Sequence, residues 1–131
     1  MLKDYIRNLK ERGIEVLSLI VIGSRAYGYY TTSSDIDVVV IIDDDKKIED
    51  AFYLGLNTGY IEPRIYAKDD AEDLLEAYDA VLLEALEFGV IFYDNGFWRH
   101  LKGIYEEKIR KNVEFVVENG KVIAIKIKTK Q

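Results

Sequence analysis

Apolar and polar positions along the chain fall into short blocks with two different periods. From Leu2 to Arg12 apolar and charged residues interleave as in a short amphipathic helix, and Gly13 stops it. Glu15 to Ile22 is an apolar β run that ends at Gly23. Ser24 to Tyr30 reads as a turn and a short helix. Ile36 to Ile42 is nearly all Val and Ile, the pattern of a strand buried on both faces. Asp43-Asp44-Asp45 then marks an exit turn. A helix is expected over Lys46 to Leu56, ended by Gly59, and a short strand over Tyr60 to Tyr66. Asp69 to Phe88 carries helical spacing in Leu74, Leu75, Tyr78, Val81, Leu82, Ala85 and Leu86, so one helix is expected up to Gly89. Val90 to Tyr93 is a brief strand and Phe97 to Lys111 another helix. Asn119-Gly120 separates two alternating runs, Val113 to Val117 and Val122 to Ile127, as in a β-hairpin.

The order helix, strand, short helix, strand, helix, strand, helix, strand, helix, hairpin implies an α/β (α+β) domain. Its small mixed β-sheet has flanking helices and a C-terminal β-hairpin. With 131 residues and no repeat or linker, one domain is expected over 1–131, its core about 1–111 and the hairpin about 112–131. The hairpin has no evident place in that sheet. It could extend an edge or serve an interface.

Composition narrows the chemistry. The chain has no cysteine, which excludes disulfides, thiolate nucleophiles and cysteine-ligated metals. The one histidine, His100, cannot build a multi-histidine centre and reads as a surface helix residue. A net charge of −6 argues against strong nucleic-acid binding, which needs a basic face. The tail lysines Lys121, Lys126, Lys128 and Lys130 read first as a solvated strand face that protects an edge. No apolar run approaches the roughly 20 residues that span a bilayer, and no signal segment opens the chain, so a cytoplasmic location is expected. Few thermolabile side chains and many Glu, Lys and Ile hint at a thermophilic source.

The informative stretch is Gly23-Ser24-Arg25-Ala26-Tyr27-Gly28, followed by Ser34-Asp35-Ile36-Asp37. Alternate strand residues share a face, so Asp35 and Asp37 are expected to project together, about 7 Å apart. At that separation two carboxylates repel by about 2 kcal/mol at an effective dielectric near 20. A divalent cation between them reverses the sign, and oxygen-only ligands suit Mg²⁺ or Mn²⁺. The glycine turn joins a strand to a helix start, where free N–H groups favour an anion. Gly23 permits close backbone approach, Ser24 adds a hydroxyl donor, and Arg25 can add a charged one. A phosphate cradle followed by two metal-binding carboxylates suits a metal-bound nucleoside triphosphate such as ATP. The reaction class is in-line attack at phosphorus. Tyr27, Tyr29 and Tyr30 could stack on a base, or pack the loop and line an interface.

Gly23-Ser24, ten residues, then Asp35-x-Asp37 resembles the signature of the DNA polymerase beta nucleotidyltransferase superfamily. The short chain is similar to its minimal nucleotidyltransferase (MNT) branch, where Ala26, Gly28 and Ser34 also have counterparts. Glu84-Ala85-Leu86, Gly89 and Tyr93-Asp94 resemble the family's closing helix and strand. The resemblance implies a nucleotidyltransferase fold and a two-metal transfer of a nucleoside monophosphate. Asp35 and Asp37 would hold the metals, and Gly23 and Ser24 the triphosphate. The family's third carboxylate, a metal ligand and base, falls on Glu62. Aspartate is commoner there, and Pro63 beside it suggests an edge strand or a bend. A plain salt bridge between Glu62 and Arg64 is the competing reading, and with it catalysis would be weak or lost. Many MNT proteins pair with a HEPN-domain partner, and some adenylylate it on a tyrosine. The expectation is therefore antitoxin-like transfer of AMP from ATP to a hydroxyl of a protein partner. The alternative is a catalytically weak or inactive MNT subunit that neutralises a HEPN-type partner by contact alone. Transfer to a small molecule fits less well, because such enzymes usually carry a second domain for the acceptor. Self-association to a homo-oligomer stays open.

Overall fold

The structure, a computed structural model, describes residues 1–23, Ala26 and residues 35–128. Four strands make a mixed sheet: β1 (Val16–Ile22), β2 (Ile36–Ile42), β3 (Ile61–Ala67) and β4 (Val90–Asp94), in spatial order β3-β2-β1-β4. β1 runs antiparallel to both β2 and β4, and β2 runs parallel to β3. Helices cover both faces. On one side α1 (Leu2–Glu11) and α2 (Ile48–Thr58) enclose Tyr5, Leu9, Leu19, Val38, Val40, Ala51 and Ile61. On the other, α3 (Lys68–Glu76), α4 (Ala80–Phe88) and α5 (Phe97–Ile104) enclose Leu17, Ile20, Val39, Ile41, Leu75, Leu82 and Trp98. β2 is central, and Val38 to Ile42 are fully buried, as its Val/Ile run requires.

The mixed α+β architecture and the hairpin agree with the sequence reading. Two helices do not. The stretch Asp69 to Phe88 is broken between Glu76 and Ala80. Tyr78 takes a left-handed φ of 60°, and the Asp79 carboxylate accepts from Leu82 N–H at 3.0 Å, starting α4 afresh. The same carboxylate accepts from the Tyr66 hydroxyl at 3.0 Å, tying the break to β3. Capping here outweighs the helical propensity of a stretch with no Gly or Pro to betray it. The helix expected over Phe97 to Lys111 leaves α geometry at Ile104. It continues as a π turn over Tyr105–Ile109 and a 3₁₀ turn over Arg110–Asn112. Tyr105 and Ile109 are buried there, and the Tyr105 hydroxyl and Arg110 both donate to Glu87 on α4.

Polar anchors fix the strands. Buried Ser18 on β1 donates to Asp94 on β4 at 2.9 Å. Asp94 also accepts from the backbone of Gly96, Trp98 and Arg99, closing the start of α5. Burial alone would raise the Asp94 carboxyl. Those four hydrogen bonds together hold it below the usual carboxylate range. The Tyr5 hydroxyl donates to the Ala51 carbonyl at 2.7 Å and locks α1 onto α2.

β5 (Val113–Glu118) and β6 (Lys121–Ile127) form a separate two-stranded sheet. Asn119 and Gly120 both have positive φ, 53° and 75°, the turn that this dipeptide favours. Phe115 and Ile125 pack on the core, and Phe115 meets Phe88 edge-on.

Candidate active site

Asp37 is the second residue of β2, and the ladder fixes its neighbours. Ile22, the last residue of β1, is its partner on one side, and Glu62 of β3 is its partner on the other. Paired residues share a face of a sheet. Asp37, Glu62 and Ile22 therefore lie together at the end of the sheet where β1 runs into the glycine turn. Asp37 is half-buried, and Glu62 sits within hydrogen-bonding reach of it.

The electrostatics of this pair are unfavourable in the absence of a cation. The Asp37 carboxyl is pushed up from 3.8 to about 6. Burial is the main cause, followed by the hydrogen bond and the negative charge of Glu62; the Arg64 cation pulls the other way, and Asp35 adds a small push up. Two carboxyls in hydrogen-bonding contact need a shared proton or a cation. Only oxygen donors are present, and hard cations suit such a set.

Gly23 completes the arrangement. Its φ is +70°, a region that favours glycine, and a Cβ built on it would lie 2.7 Å from Asp37 Oδ2. The turn thus leaves no room for a side chain between it and the Asp37 carboxylate. Ala26 N–H closes the turn on the Gly23 carbonyl at 3.1 Å.

The remaining predicted residues are placed less closely. β2 begins at Ile36, so Asp35 precedes the strand and only Asp37 is held by the ladder; Asp35 is exposed. Ser24, Arg25, Gly28, Ser34 and the tyrosines Tyr27, Tyr29 and Tyr30 lie outside the described residues. Among the described residues no group of three or more His, Asp or Glu side chains is gathered tightly enough to hold a metal ion. The close pair is Asp37 and Glu62, with Asp35 adding its charge from nearby.

The Glu62–Arg64 ion pair is present at 3.8 Å, with both side chains about half-exposed. A pair so exposed contributes little stability. It coexists with the Asp37 contact rather than replacing it. Pro63 sits between them on an edge strand, as its missing N–H suggests. Elsewhere, exposed His100 pairs with Glu72. Across the hairpin Lys121 and Lys126 stand opposite Glu118 and Glu114, which fits a charge-matched strand face. No helix among the described residues is long and apolar enough to cross a membrane. The contact of Gly23 with Asp37 was beyond reach from sequence. A glycine after a strand signals a special φ, but not which side chain lies against it.

Comparison with known proteins bears on the family and the fold. The family described as "Nucleotidyltransferase domain" matches residues 2–128. A crystal structure of a toxin-antitoxin with AMP-PNP superposes with a TM-score of 0.54 at 14% identity, covering 86% of this chain and 93% of that one. At that identity the likeness is one of fold. No curated protein matches by sequence.

Proposed function

The chain belongs to the nucleotidyltransferase domain family, and from that premise we propose that it moves AMP from ATP onto a hydroxyl of a protein partner. The observation that carries the reading is the Asp37–Glu62 carboxyl pair lying against the Gly23 turn. Asp35, Asp37 and Glu62 would hold Mg²⁺ or Mn²⁺, which supplies charge neutralisation at the reacting phosphate. Gly23, Ser24 and Arg25 would take the triphosphate through backbone and side-chain donors. The acceptor oxygen attacks the α-phosphorus and the bond to the pyrophosphate oxygen breaks. Glu62, at the rim of the site, accepts the proton of the acceptor hydroxyl. The Arg64 guanidinium lies 3.8 Å from the Glu62 carboxylate, on the same side of the site.

The shared fold with a toxin-antitoxin holding AMP-PNP supports an adenine nucleotide and a protein partner, in the manner of the MNT branch with a HEPN-domain protein. The acidic balance of the chain favours a basic partner over a nucleic-acid acceptor. The test is co-expression with the protein of the neighbouring gene, followed by intact-mass measurement with ATP and Mg²⁺. A gain of one or more AMP units that is lost in Asp35→Asn/Asp37→Asn supports transfer. A stable complex without mass gain supports neutralisation by contact alone.

A further inference from the structure

We infer that the β4 edge of the sheet is a self-association surface on which two copies of this chain pair. Among the described residues β4 is hydrogen-bonded to β1 on one side only, which leaves its outer edge without a strand partner there. Its side chains are uncovered as well. Val90, Ile91, Phe92 and Tyr93 are 52, 50, 41 and 41% exposed. Consecutive strand residues point to opposite faces, so the helical layers leave both faces of β4 partly open to solvent. Val90 to Tyr93 include no charge and no proline, two of the features that keep an edge from pairing. Their pairing with β1 shifts register between Leu19 and Ile20, which leaves Phe92 without a ladder partner.

The occupant follows from symmetry and charge. An antiparallel pair of identical strands is self-complementary about a two-fold axis, so β4 of a second copy supplies the matching groups. An uncharged edge lets two chains of net charge −6 meet where they do not repel. Beside Tyr93 lies a cavity of about 500 Å³ lined mainly by Ile6, Ile14, Val16 and Tyr93, with Lys10 and Glu15 at it. Antiparallel pairing brings the Val90 end of the second copy toward this cavity. The carboxyl pair on β2 and β3 is two strands away and stays open in both copies.

The absence of cysteine makes the test direct. Light scattering of the isolated chain at tens of micromolar should give the mass of two copies. Ile91→Cys and Phe92→Cys, made separately, should include at least one that oxidises to a covalent dimer, since facing antiparallel residues lie within disulfide reach. Val117→Cys, equally exposed but on the hairpin, should not. Ile91→Lys should shift the mass to one copy, with circular dichroism reporting the fold. A wild-type chain of monomer mass at every concentration overturns the proposal. So does a dimer that cross-links through Val117 and through neither β4 position.

Discussion

The two edges of the four-stranded sheet are built to opposite rules. At the β3 edge the strand carries Glu62, Pro63 and Arg64 in succession, and α2 packs so closely on it that a Cβ at Gly55 would lie 2.8 Å from Pro63 Cγ. A missing N–H, two opposite charges and a covering helix make this edge a poor template for another strand. At the β4 edge Val90-Ile91-Phe92-Tyr93 has none of these features and is bare. Glu62 at this edge is one half of the carboxyl pair, so a residue that protects the edge is also one proposed for the chemistry. The apolar stretch Val90 to Tyr93 holds none of the proposed site residues. Damage to one edge should therefore leave the other intact.

The sharpest way to break that division is at Asp37. Asp37→Asn keeps size and removes charge from the ladder position between Ile22 and Glu62. Transfer activity should fall by on the order of 10³-fold, the several kcal/mol that a charge-stabilising ligand supplies. Oligomeric mass should not change. Activity within tenfold of wild type, measured by labelled-ATP transfer, would show that the β3 side is not the reactive edge.

Glu62→Gln is the next largest. If Glu62 takes the proton of the acceptor, kcat should fall by about 10²-fold while ATP affinity holds, since a base can be lost without losing the clamp. Calorimetric titration and initial rates separate the two quantities. Normal turnover would reduce Glu62 to the partner of Arg64.

Much of this comparison could be read from the chain itself. The continuous Val/Ile run of β2 announced a central strand, Asn119-Gly120 announced the hairpin, and Pro63 announced an edge. Asp35 and Asp37 stood out as candidates because two acids at the mouth of an apolar strand repel each other. What stayed hidden depends on contacts between distant residues. Val90 to Tyr93 reads as a brief strand, and only the packing of the helices decides how far it is exposed. The break at Tyr78 hinges on the Asp79 carboxylate meeting Leu82 and Tyr66, neither of which its local sequence foretells. β2 starts at Ile36, so Asp35 lies just outside the ladder that holds Asp37, although its charge still reaches Asp37.

Gly23→Ala probes the junction of turn and carboxylate at smaller cost. A side chain at φ +70° costs about 1–2 kcal/mol, and its Cβ must displace Asp37 Oδ2. Thermal unfolding should show a loss of roughly that size, and ATP binding should weaken further in Gly23→Val. Unchanged affinity in Gly23→Val would separate the turn from the nucleotide.

The smallest effect concerns pH, and it reports the carboxyl pair without any substrate. Asp37 in the folded chain holds its proton up to about pH 6, against an ordinary value of 3.8. The folded state therefore binds that proton more tightly than the unfolded chain does. The resulting stability is fully present below about pH 4 and is lost as pH rises through 6. Above pH 6 the ionised pair is a net burden, so Asp37→Asn should be more stable than wild type there. Because the site is half-exposed and screened, the gain is on the order of 1 kcal/mol rather than the full shift. At pH 4 the two proteins should unfold alike. Mg²⁺ with ATP at pH 7.5 should raise the melting temperature of wild type and leave Asp37→Asn nearly unmoved. Ile91→Lys, altered only at the far edge, should keep the wild-type pH profile. Urea titrations at pH 4, 6 and 8 decide the matter. A variant no more stable than wild type at pH 8 would mean that Asp37 and Glu62 do not strain each other, and the cation site would lose its physical motive.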